Sequence, residues 1–185
     1  MGNYHAFPLK NLISVQSITN TMQNDTLFIR PIESSDNEPL AKIIREVMTA
    51  YGAVGDGFSI NDPEVDHMYD YYQANGSAYF ILSDAQNRVW GGGGIGPLVG
   101  GDPATCELKK MYFVPAVRGR GMGQKMVNHL LEAAKNLGYQ TCYLETLERM
   151  TEAKALYLKM GFEKLCGQVG NTGHSGCDSF YSKKL

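Results

Sequence analysis

Glu107-Leu-Lys-Lys-Met-Tyr-Phe-Val-Pro-Ala-Val-Arg-Gly-Arg-Gly-Met-Gly-Gln-Lys-Met-Val127 is the stretch on which the reading of this chain turns. It reads as a strand, a glycine-punctuated turn and a helix. Tyr112, Phe113 and Val114 favour a pleated surface. Pro115 lacks the N–H that a central strand needs, so the strand closes there. From Gln124 the apolar residues fall at Met126, Val127, Leu130, Leu131 and Ala134, a helical spacing. Between strand and helix lies Arg118-x-x-Gly121-x-Gly123. Glycines clear side chains away, so several main-chain N–H groups can converge on one small anion, and the positive end of the following helix points at the same place. That is a diphosphate seat in physical outline.

Familiar phosphate loops do not fit it. A Walker loop needs Gly-Lys-Ser/Thr, and here Gln124 and Lys125 follow Gly123. The spacing Gly119-x-Gly121-x-Gly123 is also not Gly-x-Gly-x-x-Gly. A plain turn entering an amphipathic helix is the competing reading. The segment Phe113-Val-Pro115-Ala-Val-Arg118-Gly-Arg-Gly121-Met-Gly123 resembles motif A of the GNAT superfamily, the N-acetyltransferases related to histone acetyltransferases. The resemblance extends more weakly from about Leu27 to Leu185. It implies acyl-CoA binding and says almost nothing about the acceptor.

Composition sets the frame. The chain has 185 residues, enough for a single domain with a real core, with 43% hydrophobic and 19% charged residues, as in a globular protein. A net charge of −2 argues against nucleic acid or an anionic membrane as the main partner. The four cysteines, Cys106, Cys142, Cys166 and Cys177, contain no Cys-x-x-Cys pair and read as free thiols of a cytoplasmic protein. His174-x-x-Cys177 alone is too small a set for zinc, so no metal is expected. The sequence carries neither a transmembrane run nor the pattern of a signal peptide.

Residues 1–25, rich in Asn, Gln, Ser and Thr, read as a loosely ordered N-terminal extension, and residues 26–185 as one domain. Leu27–Ile32 is the first strand. A helix follows, with Ser35 or Asp36 as its cap, Pro39 in its first turn and an apolar stripe from Leu40 to Met48. After the loop 51–62, Pro63 opens a second helix that runs to Asn75-Gly76. Strands are expected over 77–83 and 89–98, the second with bare faces at Gly91–Gly94 that another backbone or a substrate approaches closely. The central strand and helix come next, then a strand at 141–146, a helix from Glu152 capped by Thr151, and strands from Phe162 and Ser179. The fold class is α/β (α+β), with a GNAT-like mixed, mainly antiparallel twisted sheet flanked by helices in the order βααβββαβαββ.

The resemblance then assigns roles. Arg118, Gly119, Arg120, Gly121, Met122 and Gly123 would hold the diphosphate of acetyl-CoA, the co-substrate. The strand at Met111, Tyr112 and Phe113 would hydrogen-bond the pantetheine arm as an added strand, and the N–H of Met111 would meet the thioester oxygen. Tyr157, in Ala153-Lys-Ala-Leu-Tyr157-Leu-Lys-Met-Gly161-Phe162, matches the family's tyrosine near the CoA sulphur and would protonate the leaving thiolate. The family often carries Asn where this chain has Met150, so that contact is missing or is supplied from elsewhere, with Thr151 the candidate. Glu107 lies four residues before Met111, so in an unbulged strand both face one way. It reads either as the base for the amine or as a strand carboxylate paired with Lys109. Acceptor contacts are sought at Tyr51, Asp56 and Phe58 in the first loop, at the second carboxylate Glu145, and at His174 and Asp178 in the last loop, where ordinary loop packing is the competing reading. Glu148 reads as a solvated carboxylate.

The expected activity is N-acetylation of a primary amine, a small molecule, by direct attack in a ternary complex. A peptide or protein amine and a non-catalytic acyl-CoA sensor are the alternatives. An acyl-enzyme on a cysteine is disfavoured, since Cys106 and Cys142 have no His nearby in sequence. A homodimer is left open by the resemblance.

Overall fold

A computed structural model describes residues 26–185 of the protein, so the expected extension 1–25 lies outside the described residues. The elements are β1 (Phe28–Pro31), α1 (Asn37–Ala50), α2 (Met68–Tyr71), β2 (Ala78–Ser83), β3 (Val89–Pro97), β4 (Thr105–Phe113), α3 (Met122–Asn136), β5 (Thr141–Thr146), α4 (Thr151–Lys159), β6 (Glu163–Leu165) and β7 (Ser179–Lys184). This is the order read from the sequence. The seven strands form one sheet in the order β1-β2-β3-β4-β5-β7-β6. Every pair is antiparallel except β4 with β5.

Each face of the sheet is closed by an apolar stripe. Leu40, Ile44, Val47 and Met48 of α1 pack with Tyr79 and Ile81 of β2 on one face. Met126, Val127, Leu130 and Ala134 of α3 pack with Ile95, Leu108 and Leu144 on the other. Full burial of a side chain of this size contributes about 1.5–3 kcal/mol, so these stripes fix which way each helix faces. Among the described residues no helix is long and apolar enough to cross a membrane.

The second helix is shorter than its sequence pattern. Pro63–Asp66 forms a 3-10 turn, His67 breaks away with φ −131° and ψ 36°, and only Met68–Tyr71 is α-helical. Tertiary bonds override the local preference. Lys110 Nζ reaches Asp62 at 2.5 Å and Glu64 at 3.0 Å, Arg45 holds Asp66 through two contacts of 2.7 and 2.8 Å, and Tyr69 donates its N–H to Asn37 Oδ1 at 2.8 Å. Two smaller corrections concern helix starts. α3 begins at Met122 rather than Gln124, and Met150, not Thr151, caps α4.

The central strand carries a bulge. Gly92 stands opposite Tyr112 and Gly94 opposite Lys109, so Gly93 faces two residues, Lys110 and Met111. Lys110 sits at φ 52°, and the hydroxyl of Tyr79 donates to its carbonyl at 2.8 Å. An extra residue inverts the alternation of side chains beyond it. Leu108, Met111 and Phe113 therefore share the α3 face. Lys109 and Lys110, neighbours in sequence, both reach the α1–α2 face, where their ammonium groups meet Tyr71 and Asp62. The expectation that Glu107 and Met111 face one way is thus overturned.

The bare faces of Gly91–Gly94 are filled from within the protein. A Cβ on Gly94 would lie 2.5 Å from the Tyr79 ring and 2.7 Å from that of Tyr72, and one on Gly93 would lie 2.9 Å from Met111.

Candidate active site

β4 and β5 pair only through Thr105–Glu107 and Thr141–Tyr143. Beyond Glu107 the two strands part. The cleft between them is lined by Leu108–Tyr112 of β4, Glu145 and Thr146 of β5, Leu147 just after it, Ala153 and Tyr157 of α4, and Met150, Phe58 and Cys177 from the connections. Val114 donates its N–H to Trp90 of β3 at 3.0 Å. Successive N–H groups of a strand point to opposite edges. The N–H groups of Phe113 and Met111 therefore point toward the cleft, where β4 has no strand partner.

The glycine turn follows β4 by way of a 3-10 turn at Pro115–Val117. Gly119 and Gly121 have φ of 69° and 77°, and a Cβ at either would meet nothing within 4 Å. Left-handed backbone, not crowding, is what calls for glycine there. Gly123 is different: a Cβ would come within 3.0 Å of Leu156 in α4. Among the described residues, none of the main-chain N–H groups from Gly119 to Gln124 donates to a main-chain carbonyl. Such a run of free donors at the start of a 15-residue helix suits an anion. Arg118 is already engaged, its Nε donating to the Phe113 carbonyl at 2.9 Å and its guanidinium lying 5.8 Å over the Tyr51 ring. Arg120 is exposed and makes no ion pair among the described residues.

Tyr157 reaches the cleft from α4 and packs against the rings of Phe162 and Tyr181. Burial raises its hydroxyl above the ordinary tyrosine range, so it keeps its proton near neutrality. Met150 lines the cleft, its sulphur accepting from the Thr146 hydroxyl at 3.6 Å. Thr151 is exposed and bonds its neighbour Glu152 at 3.1 Å, outside the cleft lining.

A buried polar network stands on the α1–α2 face. Lys110, with 1% of its side chain exposed, holds Asp62 and Glu64. Asp62 Oδ2 also meets His174 Nε2 at 3.0 Å, and His174 Nδ1 lies 3.9 Å from Glu107 Oε1. On its other side Glu107 Oε2 lies 3.9 Å from Lys109 Nζ, which bonds the Tyr71 hydroxyl at 3.1 Å. Hydrogen bonds from His174 and Lys110 outweigh burial and lower the Asp62 carboxyl to about 2. Desolvation raises Glu107 above the usual carboxylate range, with Lys109 acting against it. Glu107 is 3% exposed and stands behind the cleft lining rather than in it.

The other candidates divide. Phe58 lines the cleft and packs on Gly176, while the Gly176 N–H donates to Gly57 at 3.0 Å, so the first and last loops close on each other. Tyr51 is drawn to Arg118, and Asp56 is exposed outside the lining. Glu145 lines the cleft with Oε1 held by Tyr143 (2.9 Å), Gln168 (3.0 Å) and Thr172 (3.0 Å), and Oε2 by Thr172 at 3.1 Å. Asp178 turns away to accept the Glu148 N–H at 2.6 Å. Glu148 is not merely solvated, since Lys154, Ser179 and Lys164 all hold it and lower its carboxyl to about 2. Asp62, Glu64, Lys110 and Cys177 were missed from the sequence. The doublet Lys109-Lys110 in an otherwise alternating strand was the available signal for the bulge. Cys177 is a free thiol that burial pushes up to about 12, so it holds its proton at neutral pH.

The sequence model of the Acetyltransferase (GNAT) family matches residues 41–162. YjgM of Escherichia coli, described as an uncharacterized N-acetyltransferase, is 41% identical over 151 residues, covering 81% of this chain and 90% of that protein. An acetyltransferase from Streptococcus agalactiae superposes with a TM-score of 0.73 at 18% identity, over 86% of this chain and 98% of that one. The Salmonella typhimurium protein yncA, solved with its cofactor acetyl-CoA, gives a TM-score of 0.69 at 20% identity over 86% and 94%.

Proposed function

Because the chain belongs to the GNAT family of acetyltransferases, we propose that it transfers the acetyl group of acetyl-CoA to a primary amine of a small molecule, by direct attack in a ternary complex. The observation that carries this reading is the open edge of β4 beside the free N–H groups of Gly119–Gln124. The diphosphate of acetyl-CoA sits on those amides, with Arg120 and Met122 at its margin. The pantetheine arm runs along Met111–Phe113 as an added strand, and the N–H of Met111 donates to the thioester oxygen. The acetyl-CoA bound in yncA supports the same cofactor here.

The acceptor enters from the face where Phe58 and the 169–178 loop meet. Loops closed on each other at Gly57 and Gly176 suit a small amine better than a protein chain. Glu107, behind the lining, draws the amine's proton through a water, and its raised pKa makes it a stronger base than an exposed carboxylate. Glu145 is saturated by Tyr143, Gln168 and Thr172 and forms a wall of the pocket. Tyr157 gives its proton to the departing thiolate. The protonated state of Cys177 favours direct attack over an acyl-enzyme. Four free thiols fit work in the reducing cytoplasm.

The test is release of CoA thiol from acetyl-CoA across amino acids, polyamines, aminoglycosides and short peptides. Amine-dependent release with a small molecule is expected. Release with peptides alone would overturn the small-molecule assignment, and binding without release would mark a sensor.

A further inference from the structure

We propose that Asp62, His174 and Glu107 form a proton relay in which Nδ1 of His174 finally receives the proton given up by the acceptor ammonium, with Lys110 as the fixed group that holds Asp62 in place. The inference rests on the acetyltransferase reading and concerns the same cleft.

The geometry is that of an oriented imidazole. Asp62 Oδ2 lies 3.0 Å from Nε2 of His174 and 2.5 Å from Nζ of Lys110. The Lys110 ammonium against it keeps Asp62 ionised, so the carboxylate can only accept, and this places a ring proton on Nε2 of His174. The lone pair of Nδ1 is left facing Glu107 Oε1 across 3.9 Å. That separation is too long for a direct bond and short enough for one water to bridge. Glu107 itself makes no hydrogen bond among the described residues, although only 4% of its side chain is exposed. A carboxylate fixing the tautomer of a histidine that then takes a proton is the logic of hydrolase triads, here assembled from other elements. The bulge makes the assembly possible, because only at φ 52° does Lys110 join Lys109 on the face where Asp62 waits.

The proton balance closes. One N–H bond of the ammonium breaks and, through the bridging water at Glu107, an Nδ1–H bond forms. The resulting imidazolium is paired with Asp62. The freed amine attacks the thioester carbon, the C–S bond breaks, and the sulphur takes the Tyr157 proton. The second proton of the attacking nitrogen restores Tyr157, and the imidazolium, with 13% of its side chain exposed, yields its proton to solvent. The charged and titratable groups around His174 are Asp62 and Glu64 from the α1–α2 connection, Glu107, Lys109 and Lys110 from β4, Glu145 of β5 beyond Thr172, and Cys177 of its own loop.

The experiment compares the wild type with His174→Gln, His174→Ala, Asp62→Asn and the double variant His174→Gln/Asp62→Asn. Thiol release is read with spermidine, ethanolamine, lysine and glycinamide, the fastest being used throughout, and thermal melts confirm folding. His174→Gln is expected to lower kcat by about 10²-fold, the order of a general-base contribution, with the KM for acetyl-CoA unchanged and a kcat–pH profile that differs from that of the wild type. The double variant should be no slower than His174→Gln alone, and imidazole should restore part of the His174→Ala rate. A folded His174→Gln enzyme with the wild-type rate and pH profile would overturn the relay while leaving the acetyltransferase reading intact. Failure of the wild type to release thiol with any of these amines would instead remove that reading, and the relay with it.

Discussion

Tyr157 and Glu107 separate at the level of single residues. Tyr157 sits in the cleft with a hydroxyl that burial keeps protonated. Tyr157→Phe keeps the ring packing on Phe162 and Tyr181, so kcat should fall by about 10–100-fold with little change in acetyl-CoA affinity; an unchanged turnover would take Tyr157 out of the chemistry. Glu107 is a carboxylate whose folded pKa lies above its unfolded value, which means the folded state holds the proton more tightly. Its contribution to stability is full below the unfolded pKa and is lost as pH rises through the folded one. Glu107→Gln should therefore raise the thermal midpoint at pH 7, by an amount that vanishes near pH 4, while lowering turnover. A variant less stable at pH 7 would show that the ion pair with Lys109 outweighs the desolvation. The family resemblance marked Tyr157 and Met111 in the sequence, but nothing local gave the partners. His174 was sought with Asp178, and it bonds Asp62, 112 residues away, a pairing that only the meeting of two loops creates.

Strands and helices were the more legible scale, with exceptions that share a cause. Apolar periodicity located α1 and α3, and turn residues bounded the strands, because both signals are set by the chain's own sequence. The bulge in β4 was hidden, since Lys110 takes φ 52° without a glycine to mark it, and the reason lies in Tyr79, Asp62 and Glu64. The same salt bridges shorten the helix after Pro63. The glycine run of β3 was legible as a close approach, though not what approaches it. Gly94→Ala would press a methyl group onto the Tyr79 and Tyr72 rings. We expect a loss of about 1–3 kcal/mol, the usual cost of overpacking, measured by urea denaturation, and a variant of wild-type stability would mean that the rings yield freely.

Seen as one molecule, the protein is a sheet divided at a single seam. Two apolar layers hold the strands on both faces, and the seam opens where the parallel pairing of β4 and β5 ends at Glu107. On the proposed reading the glycine turn at the start of α3, tied to the Phe113 carbonyl through Arg118, is the cofactor side and the loop network of Asp62 and His174 the acceptor side. The proposed diphosphate seat could be suggested from sequence because it consists of contiguous main chain, whereas the proposed acceptor side is gathered from three distant segments. The account therefore stands or falls on the seam as the acetyl-CoA seat. Calorimetric titration of acetyl-CoA into the wild type and into Gly121→Glu tests it most directly. Gly121 has open space at its Cβ, so the variant should fold with about 1–2 kcal/mol of left-handed strain, yet it sets a carboxylate among the free amides. Binding of one acetyl-CoA per wild-type chain and none to the folded variant is the predicted result. Equal binding to both would contradict the account at its centre.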